Sequence, residues 1–238
     1  MRWSDMHSSR VRHIQSILSQ SKAFGRLRTE LLEEIAGVCE LVSLKKGDTL
    51  FRQGDESVGF YLVHQGAIRL YKLSSGGTQQ ILKIFGDRES FGEATVVSMD
   101  RYPANASAEC DSSLVRVDKN GIQDISRSNE AVRDCLSHAI AQHLKHLVAH
   151  LEGRAFLSPE SRVARWILGE GGKYDLAKAW SFEVRTPKRS IAEELDMASE
   201  TFSRKLKSLR EKGLIAVFKK RIDVLDSEGL REVARKER

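Results

Sequence analysis

The sequence predicts an α+β chain: an N-terminal β-roll of the jelly-roll kind, one long helix, and a C-terminal winged helix-turn-helix. Three observations carry this. Between Val42 and Val117 short apolar runs alternate with glycine turns, the texture of an antiparallel roll. From Glu130 to Glu152 no glycine or proline interrupts a helical repeat. After Ser158-Pro159, two short helical segments flank a tight turn and lead into a basic hairpin.

Val11 to Ser19 and Thr29 to Leu41 have helical spacing, and in the second Leu31, Leu32, Ile35, Val38 and Leu41 form one stripe. Glycine turns follow at Gly47, Gly54, Gly66, Gly76-Gly77 and Gly86. Between them lie the strand-like runs Phe60 to Val63, Ile68 to Tyr71 and Ile81 to Ile84. In the long helix Leu136, Ile140, Leu144, Leu147 and Leu151 step by four, four, three and four. Its length of about 35 Å suits a helix that caps its own roll and pairs with its twin in a homodimer. Ser158-Pro159-Glu160 then opens a new helix, with a serine cap and proline in the first turn. The expected organisation is a sensing roll with N-terminal helices over 1–128, a dimerisation helix over 129–157 and a helix-turn-helix domain over 158–238.

In that last part a helix over Arg162 to Leu168 stops at Gly171-Gly172, and Phe182 to Arg185 reads as a strand. Ser190 to Leu195 reads as a short helix capped by Ser190 with Glu193 three residues on. Asp196 to Ala198 makes the turn, Ser199 caps the next helix, and Gly213 ends it. Leu214 to Phe218, the tip Lys219-Lys220-Arg221 and Ile222 to Leu225 form the hairpin.

Composition narrows the function. Of 238 residues 40% are hydrophobic, enough for a core without staples. Cys39, Cys110 and Cys135 lie far apart, with neither disulfide nor zinc spacing, so a reducing compartment is expected. No apolar run has the length of a signal peptide or a membrane span, so a cytoplasmic protein without a membrane partner is expected. The net charge is +6, and Ser158 to Arg238 holds 19 Lys+Arg against 14 Asp+Glu. A polyanion should therefore meet that end. No P-loop, nucleophile elbow or paired catalytic carboxylates appear, so no enzyme is expected.

In the second helix of the pair Phe202, Leu206 and Leu209 point inward, while Glu200, Ser203, Arg204, Lys207 and Arg210 lie outside that stripe. Arg204 suits a bidentate bond to guanine, Glu200 a cytosine amino group, and Ser203 a base or phosphate. Lys188, Arg189, Thr201, Lys205, Lys207, Lys219, Lys220 and Arg221 suit phosphates of double-stranded DNA, which position without specifying. A merely solvated charged face would leave unexplained why cap, turn, reading face and basic wing occur in this order.

Phe51-Arg52-Gln53-Gly54-Asp55, Phe91-Gly92-Glu93, Arg189-Ser190-Ile191-Ala192-Glu193 and Glu200-Thr201-Phe202-Ser203-Arg204 resemble signatures of the Crp/Fnr superfamily. The resemblance covers about residues 20–228. It implies a cyclic-nucleotide-binding-like β-roll, a two-fold DNA site with half-sites similar to TTGAT, and RNA polymerase as a partner.

The effector pocket implied by the family falls on Gly92, Glu93, Arg101 and Tyr102. Cyclic-nucleotide members use a Gly-Glu pair for the ribose and an Arg followed by a small residue for the phosphate. Gly92-Glu93 is present, but Tyr102-Pro103 stands in the second slot and Arg101 is one residue off. A one-residue slip turns a strand side chain to the other face, so cyclic nucleotide is not the expected effector, though a loop adjustment would restore Arg101. Iron–sulfur members need a cysteine cluster near the N-terminus, which is missing here, so that cofactor is not expected; Cys110 and Cys135 read as small buried residues. Arg101-Tyr102-Pro103-Ala104 and Pro159 to Ala164 are similar to the Dnr, NnrR and HcpR regulators, which respond to nitrogen oxides. That likeness implies nitric oxide sensed through haem. Candidate axial ligands are His138, His143, His146 and His150, the last three on one face, and His7 and His13 in the N-terminal arm.

Overall fold

A computed structural model of the chain describes residues 3–171 and 179–237. The side chain of His7 and all of Gly172 lie outside the described residues. The chain forms two compact units, Met1–Leu144 and Lys145–Arg238.

The first unit opens with helices α1 (Trp3–Ser19) and α2 (Thr29–Gly37). Strands β1 (Cys39–Leu44), β2 (Thr49–Phe51), β3 (Gly59–Gln65), β4 (Ile68–Leu73), β5 (Gln79–Phe85) and β6 (Ser90–Phe91) follow. A short α3 (Ala94–Val97), strands β7 (Asn105–Ala108) and β8 (Ser112–Asp118), and helix α4 (Lys119–Ser128) complete the roll. The strands form two antiparallel sheets, in the orders β1-β8-β3-β6 and β2-β7-β4-β5.

Strand β3 shows why its sequence reads as an unbroken apolar run. Tyr61 and Val63 face the roll interior with Phe51, Ile68, Phe85, Phe91 and Leu114. Phe60 and Leu62, on the opposite face, pack with Ile14, Leu18, Phe24, Ile35 and Ile122 of the helical layer. Both faces are covered, so the polar half of a strand alternation is absent.

The second helix differs from expectation. It ends at Gly37, and Cys39–Leu44 is a strand paired with β8, Cys39 opposite Val117. Leu41 is thus an exposed strand residue. Its spacing matches the helical stripe, but a complete edge of β8 hydrogen-bonding groups was available to pair with.

Helix α5 (Glu130–Phe156) is one element of 27 residues. Leu136 does not belong to an open seam: it is 3% exposed and packs in the helical core of the first unit. Its place in the expected dimer interface is corrected on that ground. Leu144, Leu147, Val148 and Leu151 are all exposed.

In the second unit α6 (Pro159–Gly171), β9 (Trp180–Glu183), α7 (Lys188–Glu194), α8 (Ser199–Glu211), β10 (Ile215–Phe218), β11 (Arg221–Val224) and α9 (Ser227–Arg235) share one core. Its sheet runs β10-β11-β9. The Ser158 hydroxyl accepts from the Ser161 amide at 3.1 Å, the expected cap. The other two serine caps are corrected. Helix α7 starts two residues earlier, behind Pro187, which leaves Ser190 buried inside it. Helix α8 begins at Ser199 with Ala198 as its cap residue. Backbone closes the intervening turn instead: the Met197 amide donates to Ala192 at 3.0 Å, and Asp196 takes a φ of +53°. The strand expected at 182–185 lies two residues earlier. Helix α9 was not anticipated, although Asp226 caps it by accepting from the Gly229 amide at 3.0 Å, and Leu230, Val233 and Ala234 carry helical spacing into the core.

Candidate nucleic-acid interface and roll interior

Helix α8 has two faces. Phe202, Leu206 and Leu209 are buried against α6, α7 and the small sheet, with Leu209 at 0% exposure. Glu200, Ser203, Arg204, Lys207 and Arg210 are exposed on the opposite side. One Arg204 nitrogen donates to the Thr201 hydroxyl at 3.2 Å. A guanidinium carries five donors, so a bidentate fork remains available.

The cations expected at phosphates fall into two groups. Lys188, Lys219 and Lys220 are exposed at the start of α7 and at the wing tip, where Lys219 turns the hairpin with a φ of +35°. The others have acidic neighbours. Arg189 pairs with Glu193 at 2.8 Å, and Arg221 with Asp223 at 2.8 Å while lying over the Phe218 ring. Lys207 stands 3.7 Å from Glu211. The charge of Lys205 is felt by Glu160, whose carboxyl bonds Ser208 and Lys212 at 2.6 and 2.7 Å. Burial pushes that carboxyl up, but the Lys212 and Ser208 hydrogen bonds outweigh it and hold the pKa below its ordinary range. Exposed pairs of this kind contribute little to stability, so their cations can be exchanged onto phosphate. Lys220→Ala is therefore expected to weaken all duplexes alike. It should reduce the slope of log affinity against log salt by about 0.9 for each phosphate no longer neutralised, read by titration at several salt concentrations. A changed sequence preference would refute the phosphate role.

The residues expected around an effector separate. Gly92 takes a φ of +93° and delivers Glu93 into the protein at 1% exposure. Glu93 Oε2 lies 3.1 Å from Nε2 of His143 on α5, and Oε1 has no hydrogen-bond partner among the described residues. Arg101 is exposed and donates to the Gly54 carbonyl at 2.7 Å, so the structure does not bring it to Glu93. Tyr102 is buried, stacks on Phe51 at 3.7 Å, and donates its hydroxyl to the Gly59 carbonyl at 2.8 Å. With Tyr61, Phe85 and Phe91 these rings fill the interior of the roll. The Glu93–His143 contact was not foreseen, since it joins positions fifty residues apart.

Of the other histidines, His13 and His64 meet edge to face with centroids 5.8 Å apart. His138 bonds Gln142, and His146 is exposed. Burial lowers the pKa of His150; Arg154 and Arg162 add to this and Asp196 opposes it. Among the described residues no three His, Cys, Asp or Glu side chains gather to hold a metal ion. The Cys39 thiol is buried, donates to the Ile35 carbonyl, and is pushed up to about 12 by burial, whereas Cys110 and Cys135 are half-buried. No helix among the described residues is long and apolar enough to cross a membrane.

Residues 41–129 match the cyclic nucleotide-binding domain, and residues 161–233 match the Crp-like helix-turn-helix domain. The transcriptional activator protein FnrA of Stutzerimonas stutzeri is 25% identical over 189 residues, covering 79% of this chain and 77% of its own. The cyclic AMP receptor protein of Thermus thermophilus is 27% identical over 191 residues, covering 79% and 85%. The structure of FixK2 from Bradyrhizobium japonicum superposes with a TM-score of 0.75 at 23% identity, over 84% of this chain and 98% of FixK2, a likeness of fold.

Proposed function

We propose, from the premise that the chain belongs to the Crp/Fnr family of transcription regulators, that it binds a TTGAT-like palindrome as a homodimer and answers a small effector. The observation that carries the reading is the exposed Glu200, Ser203 and Arg204 face of α8, seated on buried Phe202, Leu206 and Leu209, together with the exposed Lys219-Lys220 wing tip. Two such helices related by a two-fold axis enter successive major grooves. RNA polymerase is the further partner this role implies. The test is titration of a TTGAT-N4-ATCAA duplex against a scrambled one at moderate salt; equal affinities would refute it.

For the effector, the geometry speaks against cyclic nucleotide. Arg101 is turned to the Gly54 carbonyl, and the Phe51–Tyr102 stack lies in the roll interior. Calorimetry with cyclic AMP is expected to show no micromolar binding; finding it would restore Arg101 as the phosphate ligand. Nitric oxide through haem rests on the likeness of the Arg101-Tyr102-Pro103-Ala104 and Pro159 to Ala164 segments to nitrogen-oxide-responsive regulators. Among the candidate histidines, the placement of His143 speaks against haem ligation, since its Nε2 lies 3.1 Å from Glu93 Oε2. An absorption spectrum of protein from haem-replete cells decides this, since a Soret band that shifts with nitric oxide would carry the haem reading and its absence would end it.

A further inference from the structure

The turn between α7 and α8 is held from outside by two arginines, Arg154 and Arg162, both within the second unit. Asp196 occupies the left-handed region, and its Oδ2 lies 3.1 Å from Nε of Arg154 on the last turn of α5. Arg162, on α6, donates through one terminal nitrogen to the carbonyls of Leu195 and Asp196 at 2.7 and 3.2 Å. These carbonyls end α7, where a cation also meets the negative end of the helix dipole. Glu160, two residues before Arg162, holds α8 through Ser208 and Lys212. The turn does not need Arg154 in order to form, since the Met197 and Asp196 amides already close it onto Ala192 and Glu193. The Arg154–Asp196 pair thus adds position rather than local conformation. Arg154 also follows Leu147 and Leu151, the exposed apolar residues on the same stretch of α5.

We propose that Arg154, Arg162 and Asp196 form a clasp that seats the α7–α8 pair on the C-terminal end of α5. In the dimer the clasp sets the separation of the two recognition helices, and with it the half-site spacing the protein accepts. The proposal rests on the dimeric DNA-binding reading above. Arg154 and Asp196 act as positioning residues that touch no base.

The test uses full-length protein and fluorescence anisotropy on TTGAT-Nx-ATCAA duplexes with x of three, four and five, beside a duplex carrying one half-site. Arg154→Met keeps the apolar stem and removes the charge. Asp196→Asn keeps a residue that tolerates positive φ and removes the charge. Both variants are expected to lose roughly three- to tenfold of the preference for the favoured spacing, with half-site affinity unchanged. Arg154→Lys is expected to retain most of it. Unchanged spacing preference in both variants overturns the proposal. So does a fall in half-site binding of equal size, which would mark a structural role only. A wild-type protein indifferent to spacing would refute the dimeric reading instead. The clasp is then judged by a double-mutant cycle of Arg154→Met and Asp196→Asn on melting temperature, expected to show coupling between the two and overturned by simple additivity.

Discussion

Arg204→Ala is expected to lower affinity for the TTGAT-type duplex by about 1–3 kcal/mol per bidentate pair removed, roughly five- to 150-fold, while leaving scrambled duplex binding nearly unchanged. The side chain is exposed and bonds the Thr201 hydroxyl at 3.2 Å, so truncation leaves no buried group unsatisfied and no cavity. The helix keeps its seat through Phe202, Leu206 and Leu209. The loss should appear as relaxed preference at one base pair per half-site. Titrations on duplexes varied one position at a time measure it, and equal weakening of specific and scrambled duplexes would refute base reading by Arg204.

Leu144→Glu is expected to raise the dimer dissociation constant by two to three orders of magnitude and to weaken palindrome binding with it. Leu144 is 61% exposed in the single chain, with Leu147, Val148 and Leu151 also open on the following turns. An exposed apolar surface of this kind asks for a partner, and the proposed two-fold DNA site requires a two-fold protein. A carboxylate forced unpaired into that seam costs about 3–5 kcal/mol. Because Leu144 is open in the chain itself, the monomer should keep its melting temperature. Sedimentation of wild type and variant reads the effect; a wild-type monomer at tens of micromolar would sink the prediction.

The long helix was legible because an uninterrupted four-four-three-four repeat has one physical reading. What the repeat could not show is which partner each leucine takes: Leu136 faces its own first unit and Leu144 faces outward, with the same residue type and spacing. The caps of α7 and α8 were misplaced for a related reason. A serine before an apolar run is a good cap signal, yet at Ser190 Pro187 had already begun the helix. Helix α2 failed at Gly37, where pairing with β8 outcompeted a weak helical continuation.

At the candidate site, the exposed face of α8 was legible because a helix face is local: faces separated by 3.6 residues per turn, with a glycine stop at Gly213. The order of roll, long helix and helix-turn-helix was equally a matter of periodicity and turn chemistry. Only the tertiary structure decided that Arg101 turns outward while Tyr102 joins a stack of rings, that Glu93 meets His143, and that Arg154 grips Asp196. Each of the two pairings joins residues more than forty positions apart. Periodicity carries no information over such separations; burial and the need to partner buried or folded-over charge do.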